Sequence, residues 1–192
     1  MSLSATRKVL LTGDSDIARW PPSLFPNLDS LTLEIDGYSR ATLDQVVVKI
    51  PSCNENIILV VCAGENDDGH GLSVDDSLGA MDRLLLTNNF DHLIFLGPKF
   101  EPWLNEDASS RKTYAKLDKG FRRRCEKVEN VTYIECLTMF CGDTANVKGA
   151  VLGGRAKAQQ EFFEDDQLHL NEKGYKVWKT RIESELSKLT VS

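Results

Sequence analysis

Five short apolar runs recur along the chain with stretches of helical period between them, and no other feature of the sequence limits the fold as much. The runs are KVLLT (8–12), LTLEI (31–35), NIILVVCA (56–63), HLIFLG (92–97) and VTYIEC (131–136). They are rich in Val, Ile and Leu and bounded by Gly, Asp, Asn or Pro, which is how strands read. The third and fourth are nearly continuous in hydrophobicity rather than alternating, as strands are when helices cover both faces. The stretches 39–50, 73–89, 110–128 and 171–189 supply those helices. Ser39 is the expected N-cap of the first and Pro51 its stop. Leu78, Met81, Leu84 and Leu85 share a face in the second. Tyr175, Trp178, Ile182, Leu186 and Leu189 keep a helical period in the last, which assigns Tyr175 and Trp178 to the core. Strand alternating with helix predicts an α/β protein with three layers, α/β/α, around a five-stranded parallel sheet. A chain of 192 residues with no repeat, low-complexity tract or linker predicts a single domain over 1–192.

Charge and cysteine usage narrow the classes of function. A formal net charge of −6 opposes nucleic-acid binding, which needs a basic stripe. The dense run Arg122-Arg123-Arg124 lies between Asp118 and Glu126 and reads as a solvated helix face. No apolar run approaches the ~20 residues that cross a bilayer. The apolar part of MSLSATRKVLLTGDSD is too short for a signal peptide, so no membrane span and a cytoplasmic location are expected. Cys53, Cys62, Cys125, Cys136 and Cys141 are odd in number and lack paired spacing, which predicts buried free thiols. With no Cys-x-x-Cys, and with His70, His92 and His169 scattered, no structural zinc is expected. No other metal or cofactor is expected either.

In an open parallel sheet the ligand crevice lies outside the carboxyl ends of the strands. Gly13-Asp14-Ser15-Asp16 comes after the first strand, Asp36-Gly37-Tyr38-Ser39 after the second and Gly64-Glu65-Asn66-Asp67-Asp68-Gly69 after the third. Asp166-Gln167-Leu168-His169 stands just ahead of the last helix. These places hold a hydroxyl, a flexible backbone amide, a side-chain amide and an Asp–His pair. Acyl transfer needs those parts: a nucleophile, an oriented base and oxyanion donors. The segments 98–109, with Phe100, Pro102 and Trp103, and 139–165, with GGR at 153–155, both come after strands. They are candidates for substrate walls, with packing or plain surface loop as the alternative.

The four blocks, in this order and each beside the expected strand or helix, resemble the SGNH-hydrolase family, the GDSL-type lipases and esterases. The resemblance runs from Lys8 to about Trp178. LLTGDSD matches its first block, Gly37 in DGYSRATL its second, Gly64-Glu65-Asn66-Asp67 its third and Asp166-Gln167-Leu168-His169 its last. It implies a flavodoxin-like SGNH-hydrolase fold and hydrolysis of a small-molecule carboxylic ester through an acyl-serine intermediate. It further implies Ser15 as nucleophile, His169 as base and Asp166 as the carboxylate orienting it. The Ser15 N–H, the Gly37 N–H and the Asn66 amide would form the oxyanion hole.

The residues depart from the family pattern at Asp16, where an apolar residue is usual, and Glu65 stands inside the third block. With Asp14, Asp67, Asp68, Asp165 and Asp166 they predict an acidic mouth that disfavours anionic substrates, and a small domain with no long apolar channel visible in its sequence points to a short neutral acyl ester. Asp14 is expected to brace its loop.

Two other readings compete. Asp14-Ser15-Asp16 has the Asp-x-Asp form of magnesium-dependent phosphatases of haloacid-dehalogenase type, with Asp165-Asp166 as candidate metal ligands. That family wants a Thr where Ile17-Ala18 stands, and a lysine that the sequence does not single out. A catalytically inactive binding or scaffold protein is the other. Flavin binding is disfavoured because Asp14 and Asp16 would repel phosphate.

Overall fold

A computed structural model describes residues 7–24, 31–51, 57–87, 90–141 and 157–190. Five parallel strands form one sheet: β1 (Arg7–Gly13), β2 (Leu31–Gly37), β3 (Ile57–Cys62), β4 (His92–Leu96) and β5 (Val131–Ile134). Their order is β2-β1-β3-β4-β5. The α/β architecture and its five-stranded parallel sheet are therefore as the alternating pattern requires.

Among the described residues the α-helices are α1 (Ser15–Ala18), α2 (Leu43–Lys49), α3 (Asn66–Gly69), α4 (Val74–Thr87), α5 (Ala108–Cys125) and α6 (Glu172–Thr190). Strand side chains alternate between two cores. Val9, Leu11, Ile58, Val60, Ile94 and Leu96 face one that contains Tyr175, Trp178, Ile182 and Leu186 of α6, with Trp20 and Phe140. Leu10, Leu59, Val61, Leu93 and Phe95 face the other, built with Leu43 and Val46 of α2, Met81 and Leu84 of α4, and Leu117 and Phe121 of α5. This two-sided burial explains the unbroken hydrophobicity of β3 and β4. Tyr175 and Trp178 are core residues, as their spacing indicates.

Several boundaries differ from the sequence reading. The first long helix is capped by Thr42, not Ser39. Thr42 and Gln45 form a capping box in which each side chain accepts from the other's N–H. The loop before it is held differently, with Arg40 in a left-handed conformation at φ 63°. Asp107 caps α5 by accepting from Ser109 and Ser110 N–H, which moves its start ahead of Ser110. Cys62, Cys125 and Cys136 are free and buried, and Cys141 is buried, as expected. Cys53, positions 88–89 and the 153–155 run lie outside the described residues, as does most of 139–165. Arg122 and Arg124 pair with Asp118 and Asp82, so the basic triplet is largely neutralised.

Because all five strands run one way, their carboxyl ends share one edge. The chain goes from β1 outward to β2 and then crosses back to β3, so β1 and β3 flank the point where the winding reverses. Such a switch point leaves a crevice between the loops that leave the two strands. Ser15 lies just after β1 and Asn66 just after β3.

Gly37 ends β2 tightly against α1. A Cβ there would lie 2.0 Å from Ala18 N and 2.4 Å from Ala18 Cα. Gly37→Ala is accordingly expected to displace α1 and cost about 3 kcal/mol, measured as a lower urea midpoint at unchanged m-value.

Candidate active site

Ser15 is placed by constraints on both sides of it. Asp14 N–H donates to Cys62 O at 3.0 Å, tying the end of β1 to the end of β3. The Asp14 carboxyl then caps α1 by accepting from Asp16 N–H at 3.1 Å. Tyr175 OH donates to Asp16 O at 2.7 Å, which anchors α1 from α6. Ser15 N–H stands at the first helical position, where no intrahelical acceptor exists.

His169 reaches the same point from the other end of the sequence. Its Nε2 lies 3.1 Å from Ser15 Oγ and its Nδ1 lies 2.6 Å from Asp166 Oδ2. Asp166 also accepts from Leu168 N–H at 3.0 Å and His169 N–H at 2.9 Å, wrapping the turn around its own carboxylate. Gln167, at φ 59°, permits that turn. Asn171 fixes the start of the last helix, capping α6 by accepting from Lys173 and Gly174 N–H. Ser15, Asp166 and His169 thus converge although 154 positions separate Ser15 from His169. An Nδ1–H donated to Asp166 leaves Nε2 as the acceptor for the Ser15 hydroxyl.

Burial alone would raise the Asp166 carboxyl, but hydrogen bonds from the His169 ring and from the His169 and Leu168 N–H groups bring it down to about 2. An unfolded aspartate titrates near 3.9. The stability that Asp166 contributes is therefore complete above about pH 4 and lost as pH falls through about 2. The Tm difference between the parent and Asp166→Asn should be constant above about pH 4 and shrink below it in thermal melts.

The expected oxyanion donors are not equally placed. Tyr38 N–H donates to Gly13 O at 2.8 Å, toward β1. Successive N–H groups of a strand point to opposite sides, so the Gly37 N–H points to the free edge of β2 and away from Ser15. The assignment of Gly37 is thus corrected: its missing side chain makes room for α1, and its amide does not face the nucleophile. Asn66 does flank the site. Its Nδ2 donates to Ala41 O at 3.1 Å and lies 3.5 Å from Asp14 Oδ2. The long second contact leaves one amide hydrogen weakly held.

The expected acidic mouth is mostly turned inward. Lys99, buried, donates its ammonium to Asp16 Oδ2 at 2.7 Å, Glu65 Oε2 at 2.5 Å and Glu101 Oε1 at 2.5 Å. Lys99 N–H also donates to Glu65 Oε1. Asp67 accepts from Leu43 N–H and is buried. Burial first, then repulsion from Asp16 and Glu65, pushes the Asp14 carboxyl well up, against the attraction of Lys99. Burial pushes up Glu65 and Glu101 too, with Lys99 opposing it.

Sequence reasoning missed Lys99, which stands two residues before Glu101 in a segment read as wall or packing. Phe100 of that segment is fully buried core, whereas Trp103 lines the cleft beside the site. That cleft, about 560 Å³, is also lined by Arg40, Asn66, His70, Tyr114, Asp166 and Leu168.

Asp14, Asp16 and Cys62 bring ligand-type atoms within 4.8 Å of one another. They do not fit a metal ion. Burial holds the Cys62 thiol well up in its neutral form, and Lys99 already occupies Asp16. The same enclosure weighs against the phosphatase reading, because Asp14 is 1% and Asp16 2% exposed and neither presents an oxygen to a substrate.

No family model and no curated protein matches the chain. Solved structures do. A member of the lipolytic G-D-S-L family from Veillonella parvula matches with TM-score 0.68 at 11% identity, over 91% of this chain and 96% of that one. The lipase/acylhydrolase from Enterococcus faecalis matches with TM-score 0.68 at 16% identity, over 94% and 95%. The psychrotrophic esterase EstA from a Pseudoalteromonas species, in a form inhibited by monoethylphosphonate, matches with TM-score 0.66 at 14% identity, over 97% and 100%. The chain has the fold of these proteins. Among the described residues no helix is long and apolar enough to cross a membrane.

Proposed function

We propose that this chain is an SGNH-type serine hydrolase that cleaves carboxylic esters through an acyl-serine intermediate. The observation that carries the reading is the hydrogen-bonded chain Ser15 Oγ–His169–Asp166 beside an open cleft. In this reading His169 Nε2 takes the Ser15 proton as Oγ attacks the ester carbonyl. Asp166 stabilises the imidazolium, and His169 passes the proton to the departing alcohol. Water, deprotonated by the same imidazole, then releases the acid. The Ser15 N–H and the weakly held Asn66 amide hydrogen are the donors to the oxyanion. Likeness of fold to esterases and acylhydrolases supports the class of reaction.

The cleft of about 560 Å³ beside Asp166 is of the size that holds a small-molecule ester. The preference for a neutral substrate depends on an exposed acidic mouth, and that support is reduced with Asp16 and Glu65 paired to Lys99, leaving Asp68, Asp165 and Asp166 exposed. The buried free cysteines favour a cytoplasmic location.

An activated phosphonate ester tests the reading directly, since it reacts with a serine only where the base and oxyanion donors are in place. One phosphonyl group per chain on the peptide carrying Ser15, absent from His169→Ala, is the expected mass-spectrometric result. Labelling of His169→Ala at the parent rate would overturn the reading.

A further inference from the structure

Arg40 occupies an unusual position at the mouth of the cleft. Its φ of 63° lies in the left-handed region, where a long side chain carries a steric penalty and Gly, Asn or Asp is usual. Nevertheless the turn is fixed. Ala41 N–H donates to Tyr38 O at 3.0 Å, and the Arg40 carbonyl lies 3.1 Å from His70 Nε2. The next carbonyl, Ala41 O, accepts from Asn66 Nδ2. The residue that bears the strained backbone is therefore tied to the side chain nearest the expected oxyanion.

The guanidinium itself is exposed and has no ion-pair or hydrogen-bond partner among the described residues. Carboxylates in the protein are plentiful, with 29 Asp and Glu against 23 Lys and Arg. Arg7, Arg19, Arg83, Arg122, Arg124 and Arg181 all find one. Across the cleft, Glu65 is engaged by Lys99, and Asp166 by His169 and Arg19. Asp68, His70 and Tyr114 are the other ionisable groups that line the cleft.

We infer that Arg40 is a specificity-determining residue that receives an anionic group, a carboxylate or a phosphate, carried by the ester substrate. The planar guanidinium fork matches either group bidentately. The inference rests on the ester-hydrolase reading and reverses the sign of the charge preference that the sequence suggests.

The test compares matched esters on the full chain: 4-acetoxybenzoate and 4-acetoxyphenyl phosphate against methyl 4-acetoxybenzoate, and 4-nitrophenyl hemisuccinate against its methyl ester. The parent should favour the charged member of at least one pair in kcat/KM. In Arg40→Ala that charged-to-neutral ratio should fall about tenfold, the value of one charge-assisted hydrogen bond. Arg40→Lys should restore part of it. Arg40→Gly, which relieves the backbone, should lose it as Arg40→Ala does. The benzoate and phosphate arms identify which anion is received, and the succinyl arm shows whether it sits on the acyl side. Turnover of the neutral esters with a ratio unchanged in Arg40→Ala overturns this inference and leaves the hydrolase reading standing. Absence of turnover with every ester overturns both.

Discussion

Ser15→Ala and His169→Ala are each expected to lower kcat for p-nitrophenyl acetate and butyrate by several powers of ten, about 10³ to 10⁶. Without Oγ there is no atom to hold the acyl group, and without the imidazole the hydroxyl keeps its proton and is a poor nucleophile. The two residues work as a unit, held 3.1 Å apart, so the double variant should be no worse than either single one. Asp166→Asn should cost less than either, because it withdraws the charge behind the imidazole and leaves nucleophile and base in place. Its effect should fall on kcat more than KM, since the imidazolium that Asp166 stabilises forms only as the reaction proceeds. Ser15→Ala removes one oxygen and should leave the thermal midpoint nearly unchanged, so the lost turnover is separable from unfolding. Variants that keep the parent's rate would show that hydrolysis occurs elsewhere. A parent without esterase activity would favour the alternative of a catalytically inactive binding or scaffold protein.

The sheet, its helical layers and the candidate residues Ser15, Asp166 and His169 are legible in the sequence because each is encoded locally. Strand and helix leave a period in the sequence, and the Asp–His turn and the Gly-Asp-Ser turn are short contiguous patterns. Gly37 shows the limit. A glycine at a strand end reads equally as an exposed amide or as room for a neighbour, and only the position of Ala18 decides. Lys99 shows another. A lone lysine after an apolar strand reads as surface, and nothing local says that Asp16, Glu65 and Glu101 will converge on it. Charge summed along a sequence likewise counts carboxylates without saying which way they face, so it does not separate Asp14, Asp16 and Asp67, which are buried, from Asp68, Asp165 and Asp166, which are exposed. Arg40 leaves no signal in composition at all, since its distinction is a backbone angle.

Lys99→Met should be the most damaging substitution to the fold, costing about 3–5 kcal/mol. The ammonium sits among three carboxylates with exposures of 3%, 8% and 0%, and removing it leaves them buried without a counter-charge. In a domain of this size that corresponds to a fall of roughly 10 °C in Tm. The loss should depend on pH in a definite direction. Burial raises the carboxyls of Glu65 and Glu101 while Lys99 pulls them back, so without Lys99 they rise further. A carboxyl whose folded pKa exceeds its unfolded value, near 4, binds a proton in the folded state that the unfolded chain lacks. Stability of the variant therefore rises as pH falls from the raised value toward about 4, and its deficit against the parent should be smaller at about pH 5 than at about pH 8. Exchanging the carboxylates as well, with Asp16→Leu, Glu65→Gln and Glu101→Gln in the Lys99→Met background, should recover most of the loss, because the cost lies in the unpaired charges rather than in the bonds themselves. Asp16 is bonded in sequence to Ser15 and Glu65 to Asn66, so a Lys99→Met protein that still folds at low temperature should show a lower kcat as the two turns loosen. Urea melts at the two pH values decide the matter: a deficit under about 1 kcal/mol, or one that grows on acidification, would mean that water reaches the cluster and that the ammonium is not what holds these turns together.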